Sequence, residues 1–241
     1  ITVSFGEKGL PPFDKKYDVN LKLLGTYFIA PIWLATLDPK IKSIEDLKGK
    51  KIGLGRKPQA GWTFIPEAIL RDGWEIRDQV DVQYLGTKPA ANALLDGLVD
   101  AAVIGGYLNP TTMDIKLSPQ TIELIASGKK LYHIPWGKKQ LLKAIEKGTV
   151  MTPTTIPAGA FEGLDKDLPI FAIAISWYAA PEFRNEWAYE LVKLIVKNTD
   201  KLGEYHNIGK LITPQSLIYG ASEEDIHPGA LKAYKELKIL K

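Results

Sequence analysis

The clearest alternation of apolar and polar positions lies in the middle of the chain. Short apolar runs at Ile52–Gly55, Asp81–Gly86 ("DVQYLG"), Asp100–Gly106 ("DAAVIGG") and Thr121–Ala126 ("TIELIA") read as four buried strands. Between the first two, "TFIPEAILRDG" reads as a helix, with Thr63 able to cap it, Pro66 tolerated in its first turn and Gly73 placed to end it. The next interval, "TKPAANALLDG", repeats the device with Thr87, Pro89 and Gly97. Strand and helix in strict alternation specify a parallel sheet, so the pattern predicts an α/β lobe over residues 43–164.

The flanks have a different texture. "LKLLGTYFIAPIWLATLD" (Leu21–Asp38) and "IFAIAISWYAAP" (Ile170–Pro181) are long, apolar and rich in branched and aromatic residues, and side by side they would form two crossovers between lobes. Trp33, Trp177 and Tyr178 on these strands either pack in a core or line a cleft. A long amphipathic helix follows in "PEFRNEWAYELVKLIVKNTDKL", where Phe183, Trp187, Leu191, Leu194 and Ile195 recur at helical spacing, and then a last helix in "PGALKAYKELK". The expected organisation is thus a lobe 1 part with the outgoing strand at 1–42, lobe 2 at 43–164, and the returning strand with the C-terminal helices of lobe 1 at 165–241. Few strands serve those helices: either lobe 1 is small, or its opening strands are absent from this chain or come from another.

Composition narrows the chemistry. The 241 residues carry 31 basic and 28 acidic side chains, scattered without a long run of one sign, which disfavours nucleic acid as a partner. The absence of cysteine excludes disulfides, thiolate metal sites and thiol nucleophiles. "LPIFAIAISWYAAP" (Leu168–Pro181) is shorter than the roughly 20 apolar residues of a membrane helix. The opening residues lack the basic-then-apolar order of a signal peptide, which a processed or truncated chain would also lack. His133, His206 and His227 lie far apart, no G-x-S-x-G elbow occurs, and the carboxylates of "SEEDIHPG" (Ser222–Gly229) read as a capping cluster. No metal, cofactor or catalytic constellation is expected.

The stretch with most chemical promise is "KKIGLGRKPQAGWT" (Lys50–Thr63), where a strand runs through glycines and cations into a helix. Pro58 stands where a dinucleotide fingerprint needs its third glycine, and Gly55 and Gly61 are one residue too far apart for a P-loop, with Trp62 at the lysine position. What remains is a turn presenting backbone N–H groups and the positive end of a helix dipole, suited to a carboxylate. Arg56, Lys57 and Gln59 could add donors and Trp62 an apolar wall; the alternative is an ordinary βα turn with a solvated Arg-Lys pair and a core Trp62.

Four stretches together resemble the TAXI class of extracytoplasmic solute-binding proteins that serve TRAP transporters: "IKSIEDLKGKKIGLG" (Ile41–Gly55), "YLGTKPAANALLDGLVDAAVIGGYLNP" (Tyr84–Pro110), "IPAGAFEGLDKDLP" (Ile156–Pro169) and "IHPGALKAYKE" (Ile226–Glu236). The first is shared by many periplasmic binding proteins, and the last two are closer to this class alone. The resemblance implies a type II periplasmic-binding-protein fold, two α/β lobes joined by two hinge strands around an interlobe cleft, with lobe 1 apparently incomplete because the family's opening segment has no match before Ile1. It implies a small carboxylate or amino acid as ligand, of the glutamate or 2-oxoglutarate type, a TRAP permease as partner, and a periplasmic or other extracytoplasmic location. Where the family has a Gly-Ser-Gly-Thr run, this chain has Gln59, Ala60, Gly61 and Trp62, so hydroxyl donors are lost and the ligand could be larger, more aromatic or less acidic. Expected ligand contacts are Gln59, Gly61, Trp62 and Thr63 at the helix start, Gly106 and Tyr107 in a turn after the third strand, and Phe28 and Trp33 from the hinge. Two other readings stay open: a two-lobed enzyme acting on a small carboxylate, and a truncated chain that self-associates or binds a protein partner.

Overall fold

The two apolar flanking runs become the longest strands of the molecule. In the computed structural model, which describes residues 2–240, they are β1 (Lys22–Thr36) and β8 (Leu168–Ala179), neighbours in one open eight-stranded sheet, as expected of paired crossovers. A helix α1 (Thr2–Lys8) precedes them. The βα pattern supplies β2 (Lys51–Leu54), a helical stretch whose α-helical middle is α2 (Ile65–Ala68), β3 (Asp81–Tyr84), α3 (Thr87–Leu95) and β4 (Ala101–Leu108). Then come β5 (Ile115–Leu117), α4 (Pro119–Ala126), β6 (Tyr132–Ile134), α5 (Lys138–Glu146) and β7 (Thr152–Ile156). After β8 the chain forms α6 (Asn185–Lys197), α7 (Leu202–Tyr205) and α8 (Pro228–Glu236). The strand order is β3-β2-β4-β1-β8-β7, with β5 beside β4 and β6 beside β1.

The fold is therefore mixed α/β. β2 pairs in parallel with β3, from Lys51 opposite Asp81 to Leu54 opposite Tyr84, and with β4, Ile52 opposite Ala101. β7 and β8 are antiparallel, Thr152 opposite Ala172, as are β1 and β6, Ala35 opposite His133. Two compact units emerge. The larger comprises the opening residues through Tyr17 with Pro31–Gly106 and Leu117–Ile173; the smaller comprises Asp18–Ala30, Tyr107–Lys116 and the residues from Ala174 onward. Strands β1, β4 and β8 each continue from one unit into the other.

In the larger unit the core is built on Ile32, Leu34, Ile52, Leu54, Ile69, Ile104, Trp136 and Phe171, all sealed from solvent. Trp136 donates its indole N–H to Ile32 O at 2.9 Å, and its carbonyl accepts from Trp74 Nε1 at 2.8 Å, so the buried indole carries no unmet polar group. The "IEDLKG" stretch has a local duty: one Asp46 oxygen accepts from the Lys42 and Ser43 amides, both at 2.9 Å, and from the Ser43 hydroxyl, and these bonds hold the carboxyl below its usual range.

The smaller unit is organised by α6 and α8 closing over Leu23 and Leu24 of β1, with Ala188, Val192, Ala230, Ala233 and Tyr234 buried between them. Gly229 permits the approach, because a Cβ there would run into the Asn185 carbonyl. His227 caps α8, its Nδ1 accepting from Gly229 N at 3.2 Å, while Asp225 takes the Ser222 hydroxyl at 2.6 Å; the "SEEDIHPG" cluster is thus a capping device, with the imidazole as its cap.

Four details differ from the sequence reading. Thr121–Ala126 is helical within α4, because Pro119 suits a first helical turn, Thr121 and Leu124 share the buried face, and a short apolar run fits either period. The helical stretch after β2 begins at Ala60 with Gln59 at the cap position, so Thr63 lies inside it; α3 begins at Thr87 with Gly86 before it. β4 extends through Leu108, so Gly106 and Tyr107 belong to a strand and not to a turn after it. On α6, Ala188 and Val192 are the buried positions, whereas Trp187 and Leu194 are 55% and 61% exposed, because small residues let α8 pack closely where bulky ones could not.

Tyr234 anchors the smaller unit by donating to Leu24 O at 2.6 Å from a buried position, and burial pushes its phenol well above the usual range. Tyr234→Phe should lower unfolding stability by about 1–3 kcal/mol, the cost of leaving a buried carbonyl unpaired, read by urea denaturation at unchanged m-value. A change under about 0.5 kcal/mol would mean that water replaces the hydroxyl.

Candidate functional site

The turn between β2 and α2 is closed by its own polar groups. Arg56 N donates to Gln59 Oε1 at 2.8 Å, Gln59 N to Arg56 O at 2.9 Å, and Thr63 Oγ1 to Arg56 O at 2.8 Å. The Gly55 amide reaches Trp62 O at 3.0 Å. The Gln59 side-chain oxygen and the buried Thr63 hydroxyl, on two of the expected ligand contacts, are thus engaged in holding the loop's shape.

What the turn leaves over is backbone. Residues 60–64 and 69–73 are wound as π-helical turns on either side of α2, a widened geometry that recurs at functional sites. The amides of Ala60, Gly61 and Trp62 find no acceptor among the described residues, as the first turn of any helix requires unless something is bound there. Beside them the Arg56 side chain is exposed, and Lys57 Nζ stands 5.1 Å from the centre of the Tyr84 ring. The turn thus presents three orphan N–H groups, a guanidinium within the same loop and a half-buried indole side by side.

Glycines set the close approaches that the site depends on. A Cβ on Gly55 would stand 2.5 Å from Trp62 Cβ and 2.7 Å from Gln59 Oε1, so only glycine lets the loop fold over the strand end. One on Gly61 would meet Ile173 Cδ1 at 2.7 Å, which seats the helix start directly on the sheet. One on Gly105 would meet Trp62 Cη2 at 2.8 Å and Pro31 O at 2.5 Å: the Trp62 ring lies on the bare backbone of β4. The Thr121 hydroxyl fastens that backbone, donating to Gly105 O at 2.8 Å and lying 3.2 Å from Gly105 N.

Gln59, Gly61, Trp62 and Thr63 are therefore gathered in the larger unit. In the smaller unit Phe28 and Tyr107 meet edge to face with ring centres 5.3 Å apart. Gly106, the last β4 residue of the larger unit, is buried in the strand. Trp33 lies elsewhere in the larger unit and is wholly buried, its Nε1 donating to His133 Nδ1 at 3.0 Å and its ring stacked 5.9 Å from Phe161. The indole donor is already satisfied.

Sequence reasoning missed two features. Gly105 as the floor under Trp62 is one; its signal was the paired glycine inside an otherwise apolar strand. The other is a network behind the turn in which Arg77 Nη2 lies 2.7 Å from Glu67 Oε1 and Tyr84 donates to the same oxygen at 2.7 Å. Ten and seventeen residues apart, these partners carry no periodic signal. Among the described residues no group of three or more histidines and carboxylates could hold a metal, and no helix is long and apolar enough to cross a membrane.

A family model for the NMT1-like family matches residues 6–237. The chain belongs to the NMT1-like family. Among solved structures, the NMT1-like chain is similar to a protein of Bordetella bronchiseptica RB50 at 18% identity, covering 99% of this chain and 62% of that one with a TM-score of 0.45. It is similar to the periplasmic aliphatic sulphonate binding protein SsuA from Escherichia coli at 14% identity (91% and 60% covered, TM-score 0.42). It is also similar to the arginine-, lysine-, histidine-binding protein ArtJ from the thermophilic bacterium Geobacillus stearothermophilus at 17% identity (79% and 62% covered, TM-score 0.41). The chain spans about three fifths of the length of these structures.

Two substitutions probe this geometry. Gly105→Ala should destabilise the chain by about 1–3 kcal/mol through overpacking and change the Trp62 environment, seen as a shifted fluorescence maximum; an unaltered spectrum would detach Trp62 from β4. Burial holds the His133 imidazole down to about 4, so below the ordinary histidine range the unfolded chain takes up a proton that the folded chain refuses. Stability should fall as pH drops from about 6.5 towards 4, by on the order of 3 kcal/mol from this group, and be unaffected by it above pH 7. His133→Asn keeps an acceptor for Trp33 and should remove that share of the acid sensitivity; equal pH slopes in the two proteins would exclude His133 as its source.

Proposed function

We propose that this chain is the binding part of an extracytoplasmic solute-binding protein, which captures a small organic acid or amino acid and presents it to a membrane transporter. The observation that carries the reading is the β2–α2 turn: its side-chain oxygens are consumed in shaping the loop, while three successive backbone amides stay open beside Trp62 and Arg56. These groups support a binding reading, since they offer hydrogen bonds and an apolar wall to a small acid.

The finer reading is a TAXI-class protein for a TRAP transporter, with type II two-lobed architecture and a ligand of the glutamate or 2-oxoglutarate type. The stretches Ile156–Pro169 and Ile226–Glu236 support it. On this reading the carboxylate of the solute meets the open amides around Gly61 and Trp62 beside the Trp62 indole, while Gln59 and Thr63 hold the loop that presents them. Closure then follows from the ligand's higher affinity for the closed form. The wider indole in place of the family's hydroxyls favours a solute with an apolar or aromatic portion beside its carboxylate.

Calorimetric titration with glutamate, 2-oxoglutarate and aromatic 2-oxo acids tests the proposal directly. At least one should bind, and Trp62→Ala should weaken it about tenfold, equivalent to about 1.4 kcal/mol. Unchanged affinity in the variant would remove Trp62 from the site, and consumption of a bound acid with release of product would replace the binding reading by an enzymatic one.

A further inference from the structure

His133 presents a polarity that the solute site does not use. It sits on β6, opposite Ala35 of β1, and its Nδ1 accepts the Trp33 indole N–H at 3.0 Å. That bond fixes the tautomer: the ring proton must reside on Nε2. No buried polar side-chain atom lacks a partner among the described residues, and no hydrogen bond engages Nε2, so this N–H reaches solvent. The ring lines a cavity of about 360 Å³ between the β6 approach and the loop joining β7 to β8.

Around that cavity stand Lys42, Lys130 and Lys166, with Asp165 and Asp167 on the loop. Among the described residues none of the three lysines is ion-paired with either aspartate. Asp167 Oδ1 is engaged by the Ala158 amide at 3.0 Å, and Lys130 Nζ lies 5.4 Å from the centre of the Tyr132 ring. The loop is pinned on the other side of the imidazole by Phe161, edge-on to His133 at 5.2 Å and stacked on Trp33. An N–H donor of fixed tautomer thus stands at a cavity whose rim has more lysines than carboxylates.

We propose that this cavity is a second binding site, for a small carboxylate, in which His133 Nε2–H donates to one carboxylate oxygen and Lys42, Lys130 and Lys166 supply the compensating charge. It shares no residue with the β2–α2 turn and does not depend on the function proposed for that turn. The neutral imidazole donates without needing a proton from solvent, so recognition persists at neutral pH, and Trp33 serves as a positioning residue that keeps the donor aimed.

The chain has three histidines, so ¹⁵N imidazole spectra resolve them individually, with His133→Asn providing the assignment. Titration with sodium acetate at constant ionic strength, balanced by sodium chloride, should shift the His133 Nε2 resonance saturably and leave His206 and His227 in place. The Lys130→Ala/Lys166→Ala double variant, altered only at exposed positions, should bind acetate at least fivefold more weakly while its spectrum otherwise matches the parent. A His133 response that chloride reproduces, one that fails to saturate by 100 mM, one that is equal in the double variant, or one lost in Trp62→Ala would each overturn the proposal.

Discussion

The close seating of a helix start on a sheet, at points where glycine adds no side chain of its own, is the constraint on which the larger unit rests. Gly61 sets the helix against Ile173 and Ile32, Gly55 lets the loop fold back over its own strand, and Gly105 gives the Trp62 ring a flat floor. Each contact would be an overlap if a methyl group were added. Because the backbone comes so close, the loop's side-chain oxygens can satisfy the loop itself, and its amides are what remain for a partner. The chemistry of the turn is a by-product of its packing.

Much of this was legible because it is periodic or punctuated. The βα alternation from Ile52 to Gly106 follows from apolar runs separated by Thr-Pro-Gly signals, and the two long strands follow from their length and branched residues. The errors have physical causes. "TIELIA" has six residues, too few to separate a period of two from one of 3.6, and the deciding feature was Pro119 just before it. On α6 size misled: Trp187 and Leu194 looked like core, but helices that approach through Gly229 leave room at the contact only for Ala188 and Val192.

The neighbours within the candidate turn were legible in sequence, but the direction of their side chains was not. Sequence placed Gln59, Trp62 and Thr63 near one another, because a strand, a glycine turn and a helix cap must be adjacent. It could not reveal that Gln59 Oε1 and Thr63 Oγ1 point back into the loop, since that depends on which of several equivalent acceptors closes the ring of hydrogen bonds. Trp33 is the mirror case. As a large aromatic on a crossover strand it read as a cleft residue, and its actual environment is set by His133, a hundred residues away.

The loop between β7 and β8 owes its place to very little. Gly159 and Gly163 adopt left-handed conformations in open space, the amides of Gly159, Ala160 and Leu164 bond only within the loop, and buried Leu164 and Phe161 stacked on Trp33 are its apolar anchors. Segments so tethered open by themselves, at a fraction of the free energy of global unfolding. The amides of residues 158–164 should therefore exchange with deuterium before those of β7 and β8 on either side, and a protease meeting the native protein should cut there first, leaving two pieces held together by the sheet.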